Sequence, residues 1–135
     1  MEAARLYTDG GSRGNPGHSA GAYVICSLED NVVEKSGFYI GVKTNNQAEY
    51  QALIEGLQRC KELGVKRLTT FLDSELVVKQ LNGQYKIKNK DLAPLFTQVK
   101  SLSGQFEHIS FMYVPRALNK DADQEVNRIL DERGN

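Results

Sequence analysis

The sequence predicts an α/β domain, a mixed β-sheet flanked by helices, with three antiparallel strands first and two later strands reached through helical crossovers. Three observations carry this expectation. The first forty residues are β-rich runs punctuated by turn residues, with no helical stripe. From Gln47 the apolar period changes to the three-and-four spacing of a helix. Two further β-rich runs follow, each with helical patterns on both sides, which is the order that crossovers require.

Taken in chain order, a short apolar run from Ala3 ends at Leu6-Tyr7-Thr8. It stops at Gly10-Gly11-Ser12-Arg13-Gly14-Asn15-Pro16-Gly17, a cluster that reads as turn or loop. Ala20–Ser27 and Val32–Ile40 are the second and third strands, joined by Glu29-Asp30-Asn31. Gln47–Leu63 is a helix with Tyr50, Leu53, Ile54, Leu57 and Cys60 along one stripe and Gly64 as its stop. Arg67–Leu72 is the fourth strand. Ser74 is a good N-cap for a short helix carrying Leu76, Val77 and Leu81, which ends at Asn82-Gly83. Leu92, Leu95, Phe96, Val99 and Leu102 mark another helix, with Pro94 tolerated in its first turn. His108–Val114 is the fifth strand, and Ala122, Val126, Ile129 and Leu130 mark the last helix. The order is β-β-β-α-β-α-α-β-α.

With 135 residues the chain has the length of a single domain, residues 1–135, with no repeat or linker. At 40% apolar and 25% charged it has the composition of a folded globular protein, which argues against a disordered tail or a disulfide scaffold. Cys26 and Cys60 have no Cys or His neighbour at metal-ligand spacing and read as reduced structural thiols. Met1–Ala4 does not open a secretory signal and no apolar run approaches a membrane span, so a cytoplasmic protein with no membrane partner is expected. One sheet with its helices accounts for the apolar pattern, which predicts a monomer. The 17 basic and 17 acidic residues cancel, which on average disfavours a polyanionic partner. An average over the whole chain does not describe any one face of it.

Four acids fall at element ends. Asp9 lies where the first strand meets the glycine cluster, Asp73 where the fourth strand meets its helix, Glu49 in the first turn of the long helix, and Asp123 at the equivalent place in the last. Each alone is also what a helix N-terminus ordinarily carries as a cap or dipole partner. Converging, they would repel by several kcal/mol and so imply bound cations; an all-oxygen set suggests Mg²⁺ or Mn²⁺. Two contexts favour convergence. Asp9 precedes three glycines within five residues, which admit close backbone approach. Glu49 follows Thr44-Asn45-Asn46-Gln47 at the start of a helix whose free N–H groups attract phosphate.

Thr8 to Gly17, Thr44 to Glu49, Asp73-Ser74 with Leu81-Asn82-Gly83, and Asn119 to Asp123 with Asn127 resemble, in order, the four motifs of type 1 ribonuclease H. The resemblance spans Leu6 to about Asn127. It implies the ribonuclease H-like fold, a five-stranded mixed sheet in the order β-β-β-α-β-α-β-α, and hydrolysis of the RNA strand of an RNA–DNA hybrid to 5′-phosphate and 3′-hydroxyl products. It implies two ions, Mg²⁺ or Mn²⁺, with Asp9 bridging both, Glu49 and Asp73 completing the first and Asp123 the second. Such a pair activates a water and stabilises the leaving oxygen from sites about 4 Å apart. By the same resemblance Asn15, Asn45 and Gln47 contact the minor groove, in which 2′-hydroxyls distinguish RNA from DNA. Asn46 belongs to the same motif and is a further candidate contact. Gly10, Gly11 and Ser12 offer backbone groups to RNA, Ser74 offers a side chain, and Thr44 with Asn89 forms a pocket for a DNA phosphate.

The chain departs from the family pattern in three places. The stretch Val114 to Asn119 lacks the His that many members carry there, and Arg116 is the candidate substitute; it cannot act as a base but can draw on a phosphate. Between Ser74 and Leu92 there is no extra helix and no Trp-rich basic handle; Lys79, Lys86, Lys88, Lys90 and Lys100, opposed only by Asp91, leave a local surplus of four positive charges. Glu125 stands two positions after Asp123 where an apolar residue is usual, so Asp121 remains an alternative to Asp123. The expected activity is that of a compact ribonuclease H. The alternatives are a member that also cuts duplex RNA and a catalytically silent hybrid-binding module.

Overall fold

The computed structural model describes residues 1–133; the last two residues of the expected domain, 134 and 135, lie outside the described residues. Its elements are β1 (Ala3–Gly14), β2 (Gly17–Cys26), β3 (Val32–Lys43), α1 (Asn45–Glu62), β4 (Arg67–Leu72), α2 (Glu75–Leu81), α3 (Ala93–Ser103), β5 (His108–Tyr113) and α4 (Lys120–Glu132), with a single 3₁₀ turn at Arg116–Leu118 before α4. The five strands form one sheet in the order β3-β2-β1-β4-β5. β1, β2 and β3 pair antiparallel, and β4 and β5 add to β1 in parallel. This is the predicted mixed sheet. The four helices follow the order read from the residues, one more than the family order implied.

The largest departure from expectation is at the glycine cluster. β1 runs through it to Gly14, pairing Gly10 with Gly21, Gly11 with Ala20 and Ser12 with Ser19, so only Asn15 and Pro16 remain as a turn. The glycines serve packing here. A Cβ on Gly10 would lie 2.3 Å from the carbonyl carbon of Ala48, so only glycine lets α1 descend onto the strand.

α1 begins with a reciprocal cap, the Thr44 side chain accepting from the Gln47 N–H and the Gln47 side chain accepting from the Thr44 N–H. It ends at Gly64, whose φ of +81° suits glycine. Its buried stripe, Tyr50, Leu53, Ile54, Leu57 and Cys60, packs on Leu6, Leu68 and Leu72 of the sheet and on Val77, Leu81 and Val99 of α2 and α3. Truncating such a side chain, as in Leu53→Ala, costs about 2–5 kcal/mol. α4 covers the opposite face of the sheet, setting Ala122, Val126 and Leu130 on Ala20, Ala22, Val24 and Cys26. Cys26 and Cys60 are free and buried in these separate cores.

Candidate functional site

Parallel pairing of β1 with β4 ends at Thr8 opposite Leu72, and the residue after each is an aspartate, Asp9 within β1 and Asp73 just past the end of β4. Beyond that point β1 continues against β2 alone. The parting strands open a cleft at their carboxyl ends, where sheets with crossover connections build their sites. Glu49 enters from α1. It lies just past the helix's first turn rather than within it, because the helix starts at Asn45, two residues earlier than predicted. The close approach at Gly10 brings the Gly10 N–H to donate to Glu49 Oε1 at 2.5 Å.

Carboxylate oxygens of Asp9, Glu49 and Asp73 lie within 4.8 Å of one another. Asp9 and Glu49 are 7% and 6% exposed. Burial, and then the Asp73 charge, push the Asp9 carboxyl up to about 7. Burial, and then the charges of Asp9 and Asp73, raise Glu49 well above the usual carboxylate range. Without a cation the cluster therefore retains protons near neutral pH. Glu49 Oε2 is buried with no hydrogen-bond partner among the described residues. An orphaned carboxylate oxygen in an all-oxygen cluster fits a hard divalent ion, which would satisfy it directly.

Asp123, in the first turn of α4, lines the same cleft of about 440 Å³ but is turned toward Arg116, whose Nη2 donates to its Oδ1 at 2.9 Å. Arg116 occupies the 3₁₀ turn that the residue pattern did not reveal, with its side chain 76% exposed. Asp121 instead lines a separate depression with Tyr7 and Cys26. Glu125 pairs with Arg128 at 3.0 Å, and the apolar contact of α4 comes from its neighbours Ala122, Val126 and Ile129.

The polar residues at the start of α1 are tied to the β1–β2 turn. Asn45 N–H donates to Asn15 Oδ1 at 3.0 Å, and Ser12 N–H donates to Asn45 Oδ1 at 2.8 Å. Two of the helix's first N–H groups, those of Asn45 and Gln47, are thus already satisfied, which corrects the expectation that they were free to receive phosphate. Gly10, Gly11, Ser12 and Asn46 line the acidic cleft, as does Ser74, whose Oγ caps α2 by accepting from Val77 N–H. Thr44 is held in its cap. Asn89 is exposed, and its Oδ1 accepts from the Asp91 N–H at 2.7 Å. One residue at the site was passed over in the sequence: Asn119, buried, bonded to Asp73, and read there only as the start of a motif. Its position directly before a helix was the available signal, but that signal also describes an ordinary cap.

Fold and cluster together define an α/β protein with an acidic centre suited to a divalent cation. The sequence family described as reverse transcriptase-like matches residues 7–129. A bifunctional protein of Mycobacterium tuberculosis is 44% identical over 127 residues, which cover 93% of this chain and 35% of that protein. The chain thus spans about a third of the length of the mycobacterial relatives it matches. The crystal structure of RNase H1 from Halobacterium salinarum is 39% identical with a TM-score of 0.94, covering 96% of this chain and 98% of that one. LC11-RNase H1, solved in complex with an RNA/DNA hybrid, is 36% identical with a TM-score of 0.92, covering 98% and 99%. The chain belongs to this family, and within it to the type 1 ribonucleases H.

Proposed function

We propose that this chain is a divalent-metal-dependent endonuclease that hydrolyses the RNA strand of an RNA–DNA hybrid, leaving 5′-phosphate and 3′-hydroxyl ends. The observation that carries the reading is the trio Asp9, Glu49 and Asp73, gathered within 4.8 Å at the parting of β1 and β4, with a buried Glu49 oxygen lacking a partner. The hybrid bound by the related LC11 enzyme supports the substrate class.

Asp9, Glu49 and Asp73 would hold one ion, and Asp9 with Asp123 a second, as Mg²⁺ or Mn²⁺. When bound, the ions would supply an activated water and stabilisation of the leaving 3′ oxygen. The chain's own groups prepare the site. Gly10 N–H fixes the rotation of the Glu49 carboxylate. Arg116 holds Asp123 and, being exposed, can turn from it to a phosphate; a guanidinium cannot remove a proton from water. The oxygens of Asn15 and Asn45 are engaged by backbone N–H groups, which orients both exposed carboxamides and leaves their NH₂ groups as donors for minor-groove oxygens. Gln47 and Asn46 extend that row, Gly10 to Ser12 and Ser74 face the RNA side, and Thr44 with Asn89 receives a DNA phosphate. Lys86, Lys88 and Lys90 add an electrostatic contact to the backbone.

We read the chain as a single domain acting as a monomer in the cytoplasm; among the described residues no helix is long and apolar enough to cross a membrane. The test is cleavage of end-labelled hybrid, duplex RNA and duplex DNA in Mg²⁺, Mn²⁺ or chelator. Metal-dependent cutting of RNA in the hybrid is expected. Cutting confined to duplex RNA would overturn the substrate assignment, and hybrid binding without cleavage would leave a binding module.

A further inference from the structure

Asn119 stands at the N-cap of α4, the position where an asparagine ordinarily accepts a hydrogen bond from the first turn, yet its side chain makes no capping bond. The carboxamide is turned inward, and the residue is 2% exposed. Nδ2 donates to the Thr8 carbonyl at 2.8 Å and to Asp73 Oδ2 at 3.2 Å. Thr8 immediately precedes Asp9. The Asn119 carbonyl accepts from the Asp123 N–H at 3.1 Å. A single residue thus touches the β1 backbone directly before Asp9, the carboxylate of Asp73 and the backbone of Asp123.

This arrangement lowers stability in two ways. The cap is forgone, and Asn119 Oδ1 is buried with no hydrogen-bond partner among the described residues. The orientation is nonetheless determined, because the reversed amide would set its oxygen against two acceptors, the Thr8 carbonyl and the Asp73 carboxylate. A buried group held at a cost to stability beside a charged cluster is the pattern expected of a residue that orients ligands.

We propose that Asn119 is a positioning residue of the acidic centre: by occupying Oδ2 of Asp73 it leaves Oδ1 as the oxygen that meets the cation, and by bonding to Thr8 it sets the separation between Asp123 on α4 and Asp9 on β1. The proposal rests on the metal-dependent reading of the site. It differs from the roles proposed for the four acids because Asn119 would act through Asp73, Thr8 and Asp123 rather than as a ligand.

The experiment is Mn²⁺ calorimetry on the intact protein, on Asn119→Leu, which keeps the bulk and removes both donors, and on Asn119→Ser, which restores one donor. Mn²⁺ affinity is expected to fall roughly 10- to 100-fold in Asn119→Leu, the usual consequence of removing a hydrogen bond that orients a metal ligand, with Asn119→Ser between. Hybrid cleavage by Asn119→Leu should recover as Mn²⁺ is raised. A lower melting temperature with unchanged Mn²⁺ affinity would overturn the proposal, leaving Asn119 a structural residue only. Failure of the unsubstituted protein to bind Mn²⁺ would instead overturn the metal reading itself. Should both variants fail to fold, the wild-type protein supplies the answer: the side-chain amide resonances of Asn119 must shift on Mg²⁺ titration, and resonances that stay in place while the ion binds overturn the proposal.

Discussion

Asp9 and Glu49 sit on strand and helix backbone and Asp73 directly after β4, all placed by partners far away in sequence, whereas the lysines between α2 and α3 ride on an exposed segment tied mainly to near neighbours. Gly10 bonds to Glu49 across 39 residues, and Asn119 to Thr8 across 111. Gln84 and Tyr85 both return their N–H groups to the Lys79 carbonyl, and the Asp91 N–H donates back to Asn89 Oδ1. The difference follows from what each region must do. Oxygens that share a cation lose function if displaced by an ångström, so rigid elements hold them. Charges that attract a phosphate backbone act over a Debye length and tolerate a looser support.

Removing one acid from the rigid region should have the largest effect. Glu49→Gln is expected to lower single-turnover hybrid cleavage by roughly 10²–10³-fold, the scale of losing one preorganised electrostatic group; a loss within twofold would remove the cluster from the chemistry. Gly10→Ala tests whether the cluster depends on the packing beneath it. The new Cβ would collide with the Ala48 backbone at 2.3 Å, so a loss of about 1–3 kcal/mol in urea unfolding is expected together with reduced cleavage.

The pH dependence of stability probes the same site without mutation. Asp9 is raised to about 7 from a reference value of 3.8, so between those values the folded protein keeps a proton that the unfolded chain releases. Through Asp9 the stability of the metal-free protein falls as pH rises from about 4 to about 7, and Glu49, raised in the same direction, adds to the fall. Mg²⁺ should restore the melting temperature at pH 8, and a flat metal-free profile would contradict the convergence of the acids. The smallest effect belongs to the exposed lysine segment. Replacing Lys86, Lys88 and Lys90 together by Ala should weaken hybrid binding and reduce the salt slope by up to about 0.9 for each phosphate no longer neutralised, with single-turnover cleavage at saturation unchanged. A change in that rate would place these lysines in the rigid class.

The legibility of the sequence divides along the same line. Strand and helix order could be read because β4 and α1 carry unambiguous periods, and the Asp9, Glu49, Asp73 and Asp123 positions stood out because each falls where the residue pattern changes, although Asp9 lies inside β1 and Glu49 past the first turn of α1. The glycines after Asp9 were read as a loop because the absence of a Cβ serves a turn and a close approach equally, and only the position of α1 over Gly10 decides between them. Asn119 was hidden for a related reason, since an asparagine before a helix looks like a cap until its side chain is seen facing Asp73. The pairing of Arg116 with Asp123 depends on a 3₁₀ turn of three residues, too short for any periodicity to show. The net charge of zero also misleads: setting aside the four acids of the proposed centre leaves 17 basic against 13 acidic residues, so the neutral total conceals a basic remainder.

Asp9→Asn decides whether the acids at the parting of β1 and β4 cut the RNA of a hybrid through bound divalent ions. Cleavage of labelled hybrid by this variant and by the unsubstituted protein, at saturating substrate and Mn²⁺, should differ by on the order of 10³-fold or more. Equal rates would mean that the acidic cluster is not where the RNA is cut.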